Sequence, residues 1–283
     1  TIMFYLDGPM RYIPMGALYD GEKFLVESYA TALFIDTVKD KLREDPNLTP
    51  IAAGYGVTKD FPNFTALFAV RDELNAIIRT DESSLGVIPG TSLYDDNFTQ
   101  EEFYASLSTG ATIVHIVSHF KFENAKDESF LLLGDGTKLT VHAIKRGLSL
   151  GNLDLLTLSA CDTAKGIVEG SGIEIESLGE ATLKKGAMSV LATLWSVNDI
   201  STAILMANFY SLRYKDSLDK AQALKTAQLN LMNNIGFASS VKPRGKPLAA
   251  YGSTLEQAAD PWTGAGFSHP FFWAPFVIMG NWK

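Results

Sequence analysis

The sequence predicts an α/β fold with a mostly parallel central sheet. Three observations support this. From about residue 50, short apolar β-branched runs alternate with segments of helical spacing. Several of these runs, among them ATIVHIVSH and LDLLTLSA, are apolar enough to be buried strands. The 283 residues are 46% hydrophobic, ample for a real core.

The elements follow in order. Residues 1–49 read as a β-rich extension: TIMFYLD and MRYIPMG flank the turn signal Gly8-Pro9 as a hairpin, and KFLVES and TALFIDT supply further strand-like runs. Residues 50–283 read as the core. IAAGYGV is a strand, and FTALFAVRDELNAIIR is a helix by the spacing of Leu67, Val70, Leu74, Ile77 and Ile78. LGVIPG is a short strand. TQEEFYASLS is a helix capped by Thr99 with Glu102 three residues later, and ATIVHIVSH is a strand. SFLLLGDGTKLTV reads as a hairpin around Gly134-Asp135-Gly136. LTVHAIKRG is a short helix, LDLLTLSA a strand, IEIESLGEATLKKG a helix ended by Gly186, and MSVLATLW a strand. Helices are expected at about 199–213 and 218–234, then a long loop over 235–268. HPFFWAPFVIMGNWK closes the chain as a strand that Pro275 either delays or confines to a sheet edge.

Composition narrows the function. With 24 basic and 32 acidic residues the net charge is -8, without long charged runs, so nucleic-acid binding has no electrostatic support and a basic substrate segment is mildly favoured. No apolar run reaches the roughly 18 residues that would span a bilayer, and no signal peptide is legible, so the expected setting is cytoplasmic and reducing. The sequons at Asn47, Asn63 and Asn97 are then chance matches. The start at Thr1, directly before a strand-like run, reads as a fragment of a longer protein. No metal site is expected, because the single cysteine and the four scattered histidines lack ligand spacing. Phosphate loops, Gly-x-Ser-x-Gly elbows and His-Glu-x-x-His helices are absent, and no cofactor is implied.

The candidate chemistry lies at two strand ends. His119 follows IVHIVS and Cys161 follows LDLLTLSA, 42 residues later. Ligands of parallel α/β sheets bind outside the carboxyl ends of the strands, so if the two strands are neighbours these side chains emerge on one edge as a nucleophile and its proton acceptor. An imidazole beside a thiol lowers its pKa from about 8.5 and shuttles the proton during acyl transfer. The competing reading is a cysteine buried as inert core and a histidine held by hydrogen bonds. His115, four residues before His119 on the same face, reads as a satisfied core histidine, and His142 and His269 have no chemical partner.

VHIVSHF, SFLLLGDGTKLT, LDLLTLSACDTAKG, GIEIESLGEATLKKGAMSVLATLWSVND, STAILMANFY, KAQALKTAQLNLM and HPFFWAPFVIMGNWK, in this order, resemble the CHAT peptidases of the caspase, separase and gingipain clan. The resemblance covers most of residues 50–283, and LDGPMRYIPMGALYD is similar to the family's N-terminal hairpin. A histidine 42 residues before the cysteine is compatible with the caspase spacing of about 50. The resemblance implies a caspase-like three-layer sandwich preceded by a β-hairpin region, and a cysteine endopeptidase with His119 as acid/base and Cys161 as thiolate. It implies an oxyanion hole made by the backbone N–H groups of Phe120 and Cys161. Many clan members have glycine where this chain has Phe120, which resists positive φ, so the hole needs another backbone shape or an activating shift. By position, Ser159, Trp195, Ser196 and Asp199 would border the substrate. Asp199 would favour a basic residue before the cut, or else serve only the helix dipole. Asp135 and Asp162 read as a turn residue and a cap, and the Phe271, Phe272, Trp273 and Trp282 cluster as packing. A protein substrate is implied, with a regulatory partner or an N-terminal helical-repeat sensor as in bacterial regulated peptidases. The alternative is a catalytically silent interaction module of the same fold.

Overall fold

The computed structural model describes residues 1–36, 39, 42, 48–121, 123, 128–147, 150–159, 173–195, 198–235 and 266–283. Their centre is a nine-stranded sheet in the order β1 (Ile2–Phe4), β2 (Thr31–Leu33), β12 (Phe276–Gly280), β11 (Ser189–Thr193), β10 (Leu155–Ser159), β6 (Ile113–Val117), β3 (Ala52–Gly56), β5 (Ile88–Tyr94) and β4 (Ile78–Arg79). Every neighbouring pair is parallel except β11 with β12. A small antiparallel sheet, β7 (Phe120–Lys121), β8 (Phe130–Leu132) and β9 (Lys138–Thr140), stands beyond the end of β6.

Alternation along the strands builds the other two layers. From β6, Val114 and Ile116 pack with Phe103 of α3 (Gln100–Ser108), Ile144 of α4 (Val141–Gly147) and Leu183 of α5 (Ile173–Lys184). Ile113 and Val117 face the other way. They pack with Leu74 of α2 (Val70–Ile77), Phe209 of α6 (Asp199–Tyr214), Leu224 of α7 (Lys220–Met232) and Phe272 of α8 (Pro270–Trp273). The mostly parallel sheet covered on both faces is the architecture expected from the alternating pattern.

Local signals set several boundaries. The Thr99 hydroxyl accepts the Glu102 N–H at 3.2 Å and starts α3. Gly136, at φ +87°, makes the β8–β9 turn, and Gly186, at φ +119°, follows α5. β12 begins one residue after Pro275 and lies inside the sheet between β11 and β2, so the proline delays the strand and does not confine it to an edge. Helix α2 begins at Val70, later than the apolar spacing suggests, and Ile78 leaves it to pair with Ile88 in β4–β5.

The N-terminal hairpin reading is corrected. β1 and β2 are parallel, a pairing that requires a crossover and excludes a tight turn, and Gly8–Tyr12 forms a 3-10 turn. KFLVES is not a strand but holds the short helix α1 (Leu25–Ser28), whose entry is fixed by the Glu27 carboxylate accepting the Phe24 N–H at 2.7 Å. A single antiparallel bridge, Tyr19 with Phe24, occurs within described residues 1–36.

Candidate active site

β6 and β10 are direct neighbours, and their pairing keeps one offset throughout, from Ile113 opposite Leu155 to Val117 opposite Ser159. Both carboxyl ends therefore open on the same edge of the sheet. The strand order reverses beside β6, because β3 has β5 on one side and β6 on the other, and such a reversal is where parallel sheets offer a crevice.

His119 lies between β6 and β7, 3% exposed. Its carbonyl accepts the Leu132 N–H at 2.9 Å, and the preceding Ser118 hydroxyl donates to the Leu132 carbonyl at 2.5 Å, so β8 fixes the backbone on both sides of the imidazole. The Phe64 ring lies against the His119 ring, centroids 5.1 Å apart and planes 40° apart. Phe120 occupies β7 opposite Leu131, buried and outside the positive-φ region. Ser159 ends β10 with a buried hydroxyl that has no hydrogen-bond partner among the described residues. Cys161, Asp162 and Ser196 lie outside the described residues.

Two further positions named from sequence sit farther along this edge. The Trp195 indole N–H donates to the Phe271 carbonyl at 3.0 Å, and the two rings stack with centroids 6.5 Å apart. Asp199 opens α6, and its carboxylate accepts the Ala69 N–H at the entry of α2 at 2.8 Å. Burial raises the Asp199 pKa to about 6 against the Ala69 N–H that stabilises its charge, and Glu73 and Asp72 push it the same way as burial. Asp135 is the turn residue expected, its carboxylate accepting both the N–H and the hydroxyl of Thr137.

Beneath the site runs a polar network that sequence reasoning anticipated only at His115. His115 and Thr157 are cross-strand partners, and both meet the Tyr210 hydroxyl, at 3.1 and 2.7 Å. The other ring nitrogen of His115 lies 2.7 Å from Glu73 Oε1. A carboxylate oxygen accepts, so His115 Nε2 donates to Glu73, while Nδ1, the Tyr210 hydroxyl and the Thr157 hydroxyl form a hydrogen-bonded chain above it. Burial drives the Tyr210 pKa well up, which keeps that hydroxyl a donor. All four groups are fully enclosed, so the network ties α2 and α6 to the two site strands without reaching solvent. Glu73 and Tyr210 fall on helix positions that read as ordinary amphipathic pattern, which gave no sign of a buried network.

A cavity of about 520 Å³ lined by Tyr104, Leu107, Gly147 and Leu150 opens near the amino ends of β6 and β10, opposite His119. It is no part of this site. Among the described residues no group of three or more His, Cys, Asp or Glu could hold a metal, and no helix is long and apolar enough to cross a membrane.

The sheet, its helix layers and the site edge together define a caspase-like cysteine peptidase fold. Solved structures with this fold include the Arg-specific cysteine proteinase gingipain R (TM-score 0.56, 10% identity, covering 94% of this chain and 56% of that one). They also include the complex of Porphyromonas gingivalis RgpB pro- and mature domains (0.51, 9%, 90% and 56%) and a structure described as a protease (0.51, 11%, 94% and 57%). The chain thus spans a little over half the length of these proteins, and at such identities the likeness concerns the fold. No curated protein sequence matches it. The CHAT domain family model matches residues 1–281, and the chain belongs to that family.

Proposed function

We propose that this domain is a cysteine endopeptidase in which Cys161 attacks a main-chain carbonyl and His119 handles the proton. One observation carries the reading. The β6–β10 register is offset by 42 residues at every pair, and His119 and Cys161 differ by the same 42, so counting two residues past Val117 and Ser159 reaches both. The thiol proton passes to the imidazole as sulfur bonds to the carbonyl carbon. His119 then returns that proton to the leaving amine as the C–N bond breaks, and water hydrolyses the thioester to release the acid and regenerate the thiol. Backbone N–H groups of Phe120 and Cys161 would hold the oxyanion, a contribution of about 3 kcal/mol per donor. Ser159, Trp195, Ser196 and Asp199 would border the peptide, with a basic residue before the cut favoured by Asp199. The substrate is a protein met in the cytoplasm, and a partner or a helical-repeat sensor elsewhere in the full protein would govern access, as in bacterial regulated peptidases.

The test is a proteome-derived peptide library digested in parallel by the wild type and by Cys161→Ala. Cleavage by the first and none by the second is expected, with unchanged circular dichroism; cleavage persisting in the variant would refute the assignment. The second reading, a silent interaction module, draws on Phe120 being a buried strand residue where many clan members have glycine. Under it, Cys161 reacts with iodoacetamide no faster than an unfolded thiol.

A further inference from the structure

We propose that Phe64 is a positioning residue for His119, holding one face of the imidazole so that the ring keeps a single orientation toward Cys161; this rests on the peptidase reading above. The loop over 57–69 leaves β3 at the site edge, where the Val57 N–H is bound by the Val117 carbonyl at 3.0 Å. It then doubles back in a tight turn. Phe61 and Phe64 exchange backbone hydrogen bonds of 2.9 Å in both directions around Pro62 and Asn63, and Asn63 takes φ +71°. Proline followed by a left-handed Asn fits a turn that aims the next side chain in a fixed direction. That side chain is Phe64, which lies against His119 and sits edge-on to Phe130 at 6.3 Å.

The loop is braced at both ends and in the middle. The Thr58 N–H and hydroxyl both bind the Asp95 carboxylate, at 2.7 and 2.6 Å, and the Ala66 N–H binds Asp60 at 2.7 Å. The Ala69 N–H binds Asp199 at 2.8 Å. The hairpin tip of the small sheet closes over the turn, since a side chain at Gly136 would meet Phe61 at 2.8 Å. The His119 backbone is held by β8, and the Phe64 ring lies on one side of the imidazole, where it limits rotation of the ring. This arrangement would help fix the nitrogen offered to the thiol. A misplaced acid/base group costs rate steeply, because proton transfer needs hydrogen-bond reach.

Two measurements test this. In protein labelled at histidine, Phe64→Ala moves the imidazole resonances of His119, assigned with His119→Ala, and leaves those of His142 and His269 in place. The rate of Cys161 alkylation by iodoacetamide across pH falls by about 10- to 100-fold near neutrality in Phe64→Ala, with a shifted midpoint. Phe64→Tyr, which keeps the ring, restores both. Should the alanine variant unfold, Phe64→Leu keeps the apolar volume without the aromatic face and is expected to move the same two readouts. Unmoved resonances with an unchanged pH profile in a folded Ala or Leu variant overturn the proposal. If His119→Ala itself leaves alkylation unchanged, the dyad reading fails instead, and the resonances alone decide whether Phe64 holds the ring.

Discussion

Asp199 combines a partly buried carboxylate, two acidic neighbours, and the backbone N–H groups of Ala69 and Phe68, which stabilise its charge only in part. Its folded pKa of about 6 stands above the ordinary aspartate value of 3.8, so between those values the native state binds more protons than the unfolded chain. The stability contributed by this group therefore falls as pH rises through that window and is lowest at neutrality. Asp199→Asn, which keeps an acceptor for Ala69 and removes the charge, is expected to raise the melting temperature at pH 7 and to leave it nearly unchanged at pH 4. A variant that melts lower than wild type at pH 7 would sink this account. At this scale sequence reading anticipated the place of His119 at the end of β6, the satisfied core role of His115 and the turn role of Asp135. It missed Phe64, although Pro62-Asn63 was a legible turn signal, because a turn signal does not reveal what the following ring touches.

At the scale of elements, α7 is anchored by a buried ion pair. Lys220, in the first turn, places its ammonium 2.6 Å from Asp154, just before β10. Burial lowers the Lys220 pKa, and the Asp154 carboxylate opposes that shift. Removing one partner strands the other in the interior, so Lys220→Ala is expected to cost about 3–5 kcal/mol in urea denaturation. The double change Lys220→Met with Asp154→Leu should lose far less, and equal losses would contradict the pairing argument. Other elements show how far pattern carries. Buried strands and capped helices were legible because their signals are local. β4 and the N-terminal segments were not. Ile78 continues the apolar spacing of α2 yet pairs with Ile88, and Ile2–Phe4, read as the first strand of a hairpin, pairs in parallel with Thr31–Leu33. In each case a partner distant in sequence, invisible to periodicity, settled the outcome.

The whole molecule has two directions of chain in one sheet. β4, β5, β3, β6, β10 and β11 run one way, and β12, β2 and β1 the other. The core alternation and the edge carrying His119 were readable from the sequence, since strand–helix repetition dictates a parallel sheet and its open end. The reversal at β12 was not, because nothing local distinguishes an antiparallel interior strand from an edge one.

β12 lies between β11 and β2, so β1 and β2 join the sheet through residues 276–280. As this stretch of chain emerges from the ribosome, β1 and β2 must wait for residues 276–280 before they find their place, while β3, β5 and β6 can already associate. A protein ended before Phe276 is expected to lose the N-terminal strands to proteolysis, with early cleavage between residues 5 and 30; protection of that region in the shortened protein would argue against the docking order. The arrangement delays completion of the sheet until residues 276–280 have been made, a safeguard of timing supplied by topology alone.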